Sequence, residues 1–131
     1  MRQLMCRQLA CRQRMTSRHP GQALVMTEFG AEARPELADA PPDVKGGYAF
    51  QANHTDRTID VVDSLPFLSG AIYWTLREFE IYPGWTGGAG RRPPQYEPNT
   101  RHQKGLLSYY GRRKPAWFVA RDHFLHTPLY R

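Results

Sequence analysis

Ala23-Leu24-Val25-Met26-Thr27-Glu28-Phe29-Gly30 is a short apolar run that closes on a carboxylate and a glycine. Four consecutive apolar residues at this length predict a strand over 23–27, buried on both faces as in a parallel sheet. Glu28 follows at its C-terminal end, and Gly30 lets the chain turn sharply. Barrel enzymes keep their reacting groups at that end of a parallel strand. Burial beside a polar cleft would also let the fold tune the carboxylate. On this pattern alone a solvated loop residue or salt-bridge partner is the commoner outcome, so the rest of the chain must decide.

Moving outward, Tyr48 to Ser64 predicts a helix: Tyr48, Ala52, Thr55, Ile59 and Val62 recur along one face, with Asp56, Arg57, Asp60 and Asp63 on the other. Pro66 ends it. Phe67 to Thr75 predicts a second buried strand, with the small residues Ser69, Gly70 and Ala71 at its centre. Strand, helix, strand in this order is one parallel crossover unit. Between the first strand and the helix, Pro35, Pro41, Pro42, Gly46 and Gly47 mark a loop.

Arg77 to Gln103 predicts a long loop, a feature usually either functional or disordered. Its glycines lack the strand–loop–helix frame of a phosphate cradle. Tyr82, Trp85 and Tyr96 suit a sugar-contacting rim and suit equally well the anchoring of the loop on the fold. Leu106 to Tyr109 predicts a short extended piece, and Gly111 a turn. Pro115 opens a last helix with Trp117, Ala120 and Phe124 on one face. Arg77 and Glu78 suggest either site-lining residues or, more commonly, a local ion pair.

The 131 residues suffice for one domain but fall short of the roughly 250 of an eight-fold β/α barrel. Net charge is +6, but Arg2, Arg7, Arg12, Arg14 and Arg18 all precede the first acidic residue. The remainder carries 13 basic residues against 12 acidic, so the basic excess belongs to a tail and argues against a nucleic-acid partner. No apolar run approaches the ~20 residues of a membrane span. Residues 1–22 predict an unstructured basic tail, superficially like a transit peptide. Cys6 and Cys11 fit no zinc spacing and read as free thiols in a reducing cytoplasm. The histidines form no metal-ligand pair, and no metal or cofactor is implied.

Taken in order, Thr27-Glu28-Phe29-Gly30, the helix 48–63, Gly70-Ala71-Ile72-Tyr73-Trp74-Thr75-Leu76-Arg77-Glu78-Phe79, His102-Gln103-Lys104-Gly105-Leu106 and Arg113-Lys114-Pro115-Ala116 resemble the catalytic barrel of glycoside hydrolase family 2. That family includes β-galactosidases and β-glucuronidases. The resemblance covers about residues 22 to 125 and implies an α/β fold: the last two β/α units of a (β/α)8 TIM barrel, with 126–131 as a frayed end. It implies that Glu28 is the catalytic nucleophile of a retaining O-glycosyl hydrolase acting on β-glycosides. It makes Trp74, His102, Lys104 and Trp85 substrate-binding residues, Trp74 lining the sugar floor. The chain departs from the family where His102 stands in place of the Asn of a glucuronidase Asn-x-Lys motif.

A retaining glycosidase needs a second carboxylate, roughly 5 Å from the nucleophile. The family places it in an Asn-Glu pair, and this chain has no such dipeptide. The resemblance therefore implies a fragment that is inactive alone and prone to aggregate unless a complementing chain carries the rest of the barrel. Two other readings are a non-catalytic carbohydrate-binding module using Trp74, Trp85 and Tyr96, and, as the weakest, a nucleic-acid or lipid contact through the arginine tail.

Overall fold

A computed structural model of the chain describes residues 21–82 and 101–127. Its elements run β1 (Leu24–Phe29), a 3-10 turn (Pro35–Leu37), α1 (Tyr48–Asp63), β2 (Leu68–Tyr73), β3 (Phe79–Glu80), β4 (Arg101–His102) and α2 (Pro115–His126). β1 and β2 are parallel, as the crossover unit requires. The register pairs Val25 with Gly70 and Met26 with Ala71, then slips so that Phe29 meets Tyr73. This irregularity keeps Met26 and Phe29 on the side of Ala71 and Tyr73. Side chains alternate along a strand, so Gly70, Ile72 and Trp74 share the opposite side.

Among the described residues no layer covers that opposite side. Val25 is 48% and Ile72 53% exposed, which corrects the expectation of strands buried on both faces. A parallel strand buries two faces only when layers lie on both, and here the helices cover one. The core sits between them and the sheet: Leu106, Ala116 and Ala120 are buried, with Ala52, Tyr73 and Trp117 packed against them. Phe124, expected on the buried face of α2, is exposed; the face turned inward is that of Ala116 and Ala120, the small residues that let α2 approach α1 closely.

α1 buries Gln51, Thr55 and Ile59, one residue per turn, and Ser64 caps its end through its N–H to the Asp60 carbonyl. The expected stripe is thus largely present, but its centre is a glutamine. The ends of the long loop zip together as β3 and β4, antiparallel, with Phe79 opposite His102. Leu107 bridges both Arg77 and Arg113, which fixes the predicted extended piece. Gly111 turns the chain at φ +81°, the left-handed region that glycine enters freely. Gly30 has φ +150°, and a side chain there would collide with the Trp74 carbonyl oxygen. Glycine therefore permits the close approach in which the Trp74 N–H donates to the Phe29 carbonyl at 2.7 Å. The two strand ends are tied together at that point.

Candidate active site

Glu28 is the penultimate residue of β1, and Trp74 follows β2 directly. Both occupy the C-terminal ends of parallel strands. A third stretch, 102–104, reaches them both. The Lys104 ammonium lies 3.9 Å from a Glu28 carboxylate oxygen. The Trp74 indole N–H donates to His102 Nε2 at 3.3 Å. The site residues Glu28, Trp74, His102 and Lys104 thus form one chain of contacts drawn from three stretches. Trp85, the remaining candidate, lies outside the described residues, as does Tyr96.

The Glu28 side chain is 56% exposed, so the expected burial of this carboxylate is not found. It stands on the uncovered side of a two-stranded sheet, where water reaches it. Its pairing with Lys104 is correspondingly weak, about 1 kcal/mol or less for ions in solvent. The arrangement is one of proximity: an anion beside a cation at the open end of the sheet.

His102 is a different case. It is buried, stacked on Phe79 with ring centres 4.6 Å apart, and Trp74 meets both rings edge-on. Because Nε2 accepts the indole hydrogen, the ring proton of the neutral form belongs on Nδ1. Burial is the largest influence on its pKa, and the Lys104 charge adds to it, with a smaller push from Lys114. Together they lower it from 6.5 to about 4. At neutral pH His102 is therefore an uncharged acceptor that sets the plane of the Trp74 indole. His54 on α1 is shifted in the same direction, first by burial and then by Lys104. Lys104 is thus the cation that its neighbours sense.

The loop 102–105 is held by groups that the sequence did not point to. Gln51 is fully buried, and its side-chain amide N–H2 group faces three carbonyls: Ala31 at 3.0 Å, Lys104 at 3.1 Å and Gly105 at 3.3 Å. The Tyr73 hydroxyl donates to the Lys104 carbonyl at 3.3 Å. Glu32, just past β1, accepts the Gln103 backbone N–H at 2.9 Å. Lys114, the residue before α2, is buried; its ammonium donates to the Ala33 and Gln103 carbonyls, each at 3.0 Å, and pairs with the Glu78 carboxylate. Glu78 also accepts the Tyr109 N–H at 2.8 Å.

This overturns the expected Arg77–Glu78 pair. Adjacent residues after a strand point to opposite sides, so Glu78 turns inward to Lys114 while Arg77 turns out and donates to the Tyr109 carbonyl. In the sequence Lys114 reads as part of the Arg113-Lys114-Pro115-Ala116 stretch at the start of the last helix, with no role of its own. A charged residue gives no sign of burial until its partner is placed. Gln51 left one faint signal: it stands at i, i+4 and i+8 with Thr55 and Ile59.

Among the described residues no group of three or more His, Cys, Asp or Glu side chains is placed to hold a metal ion. Nor does any described helix have the length and apolarity to cross a membrane. A hollow beside the two helices, lined by Asp56, Asp63, Val119, Asp122, His123 and His126, includes none of the four site residues.

No known family profile matches the sequence, and no curated protein does. Solved structures do. The GH2 beta-galacturonidase from Eisenbergiella tayi, bound to galacturonate, matches with 25% identity and a TM-score of 0.70, covering 85% of this chain and 18% of that one. The Bifidobacterium dentium beta-glucuronidase complexed with coumarin-3-O-glucuronide gives 20% identity, a TM-score of 0.69 and coverage of 96% and 18%. The Ruminococcus gnavus beta-glucuronidase gives 22%, 0.64, 88% and 18%. In fold the chain is a GH2-like fragment, similar to glycosidases and spanning 18% of the length of each of these structures.

Proposed function

We propose that the chain is the C-terminal portion of the (β/α)8 barrel of a retaining hydrolase of β-glycosides, consisting of its last two strand–helix units. In this reading 23–125 is the partial barrel; the basic tail expected over 1–22 and the frayed end expected over 126–131 fall almost wholly outside the described residues. The protein is cytoplasmic in this reading, and Cys6 and Cys11, expected as free thiols, lie outside the described residues. One observation carries the proposal: Lys104 meets Glu28, and His102 meets Trp74, at the C-terminal ends of two parallel strands.

Glu28 is the nucleophile. Its carboxylate attacks the anomeric carbon, forming a glycosyl ester as the bond to the leaving oxygen breaks. A second carboxylic acid donates the proton to that oxygen and then takes one from the water that hydrolyses the ester. This chain has no Asn-Glu dipeptide to supply that acid. Loss of such a group removes roughly 10²–10⁴-fold in rate, and the missing strands remove substrate positioning as well. The isolated chain is accordingly inactive, and a complementing chain with the remaining barrel is its partner. Trp74 offers a flat face to the sugar, the role that the resemblance also gives to Trp85. Lys104 offers a positive charge, whereas His102 is neutral above about pH 4 and offers none. A uronic acid carboxylate therefore has Lys104 as its cation, and the galacturonate bound to the Eisenbergiella tayi enzyme supports that sugar class.

The test is a mixture. The chain alone should release no nitrophenol from aryl β-glycosides. Combined with a polypeptide carrying the rest of a related barrel, it should gain activity that Glu28→Gln abolishes. Turnover by the chain alone would overturn the inactivity. Recovered activity that Glu28→Gln leaves intact would overturn the nucleophile. A second reading, a carbohydrate-binding module without chemistry, is favoured only by the exposure of Trp74, 39%. It requires sugar binding that survives Glu28→Gln and is lost in Trp74→Ala.

A further inference from the structure

The site is spanned by one ammonium group. Lys114 Nζ donates to the Ala33 and Gln103 carbonyls and forms an ion pair with the Glu78 carboxylate. Ala33 lies on the segment leaving Glu28, and Gln103 lies between His102 and Lys104. The Ala33 N–H also donates to the Gln103 carbonyl at 3.1 Å. Glu78 is held in turn by the Tyr109 N–H. A buried ion pair is weak evidence for stability, since an apolar pair of similar volume often replaces it at no loss. Directed N–H bonds to two carbonyls are what an apolar pair cannot reproduce.

We infer that Lys114 and Glu78 are positioning residues of the Glu28 site, the ammonium fixing the separation between the strand end that carries Glu28 and the loop that carries His102 and Lys104. Glu78 anchors the ammonium from the segment that leaves β2, so the second strand end, Trp74, is referred to the same point. The inference rests on the proposed function only for the meaning of the site. The geometry it describes can be read without turnover.

The experiment uses the full chain and two variants. Lys114→Arg keeps the charge but cannot place an N–H where Nζ is. The double variant Lys114→Met with Glu78→Leu removes a cation and an anion together, and because Lys114 itself pushes the His102 pKa down, the indole resonance is the readout for that variant. Circular dichroism and urea melts establish that each is folded. The readouts are the Trp74 indole N–H resonance and the His102 imidazole titration by NMR. Both variants should move the indole resonance as its hydrogen bond to His102 lengthens, and in Lys114→Arg, which keeps the charge, His102 should titrate higher by about one pH unit, a tenfold change in proton affinity. A folded variant with its readouts at the parent position would overturn the inference. If the double variant does not fold, Lys114→Arg alone decides in the same way. Failure here leaves the glycosidase reading intact, and an inactive complemented enzyme leaves this inference intact.

Discussion

The charges of this chain differ most in how much water they keep. Glu28 and Lys104 keep enough that their attraction adds little stability, and Glu28→Gln should change the unfolding free energy by no more than about 0.5 kcal/mol in a urea titration. Lys114 keeps none. Burial lowers its pKa, and the Glu78 carboxylate opposes that effect. Lys114→Met alone strands Glu78 in the interior and should cost about 3–5 kcal/mol, whereas adding Glu78→Leu should return much of it. His102 gives a pH signature. Its folded pKa is depressed from 6.5 to about 4, so the unfolded chain binds the proton more tightly. Its stabilising contribution is complete above pH 6.5 and is lost as pH falls toward about 4, with a slope of at most about 1.4 kcal/mol per pH unit. Urea melts across that window should show a steeper loss in the parent than in His102→Phe, which keeps a ring to stack on Phe79 and retains His54, shifted the same way. Equal slopes would mean that His102 is not the titrating group.

Elements here are joined by backbone proximity as much as by side chains. A side chain on Gly105 would collide with the Leu107 carbonyl and the Glu78 N–H, both backbone atoms that cannot swing away. At Gly111 nothing lies within 4 Å, and only the positive φ resists a side chain. Gly111→Ala should therefore cost about 1–2 kcal/mol, and Gly105→Ala distinctly more; the reverse order in urea melts would place the loop 102–105 wrongly. Gln51→Leu removes the shared donor of three carbonyls and should cost about 1–3 kcal/mol although it adds apolar area to α1. The helices and parallel strands were legible from the sequence because apolar periodicity is local. The Gln51 bonds were not, because their partners lie 20, 53 and 54 residues away. The short β3–β4 pair was hidden for the same reason: two residues per strand leave no period to detect.

At the scale of the molecule, the parallel sheet has two strands among the described residues, an exposed face bearing Val25 and Ile72, and outer edges with no described partner strand. Parallel sheets of this kind are normally covered on both faces, and open edges invite pairing with other chains. Sedimentation velocity should show association that grows with concentration, and the pair Val25→Thr with Ile72→Thr should weaken it while leaving the helical signal unchanged. A parent that stays monomeric across the range would mean that the exposed face is satisfied within the chain.

By itself the sequence determined the order of the elements, the parallel crossover and the placing of Glu28 at a strand end, since each follows from the spacing of neighbouring residues; that spacing put Trp74 inside the strand 67–75, and the structure ends the strand at Tyr73. Only the tertiary structure decided that Lys104 faces Glu28, that His102 is a buried neutral acceptor for Trp74, and that Lys114 and Glu78 lie inside. A residue's water content and its hydrogen-bond partners are set by segments distant in the chain. No local pattern carries that information until folding brings those segments together.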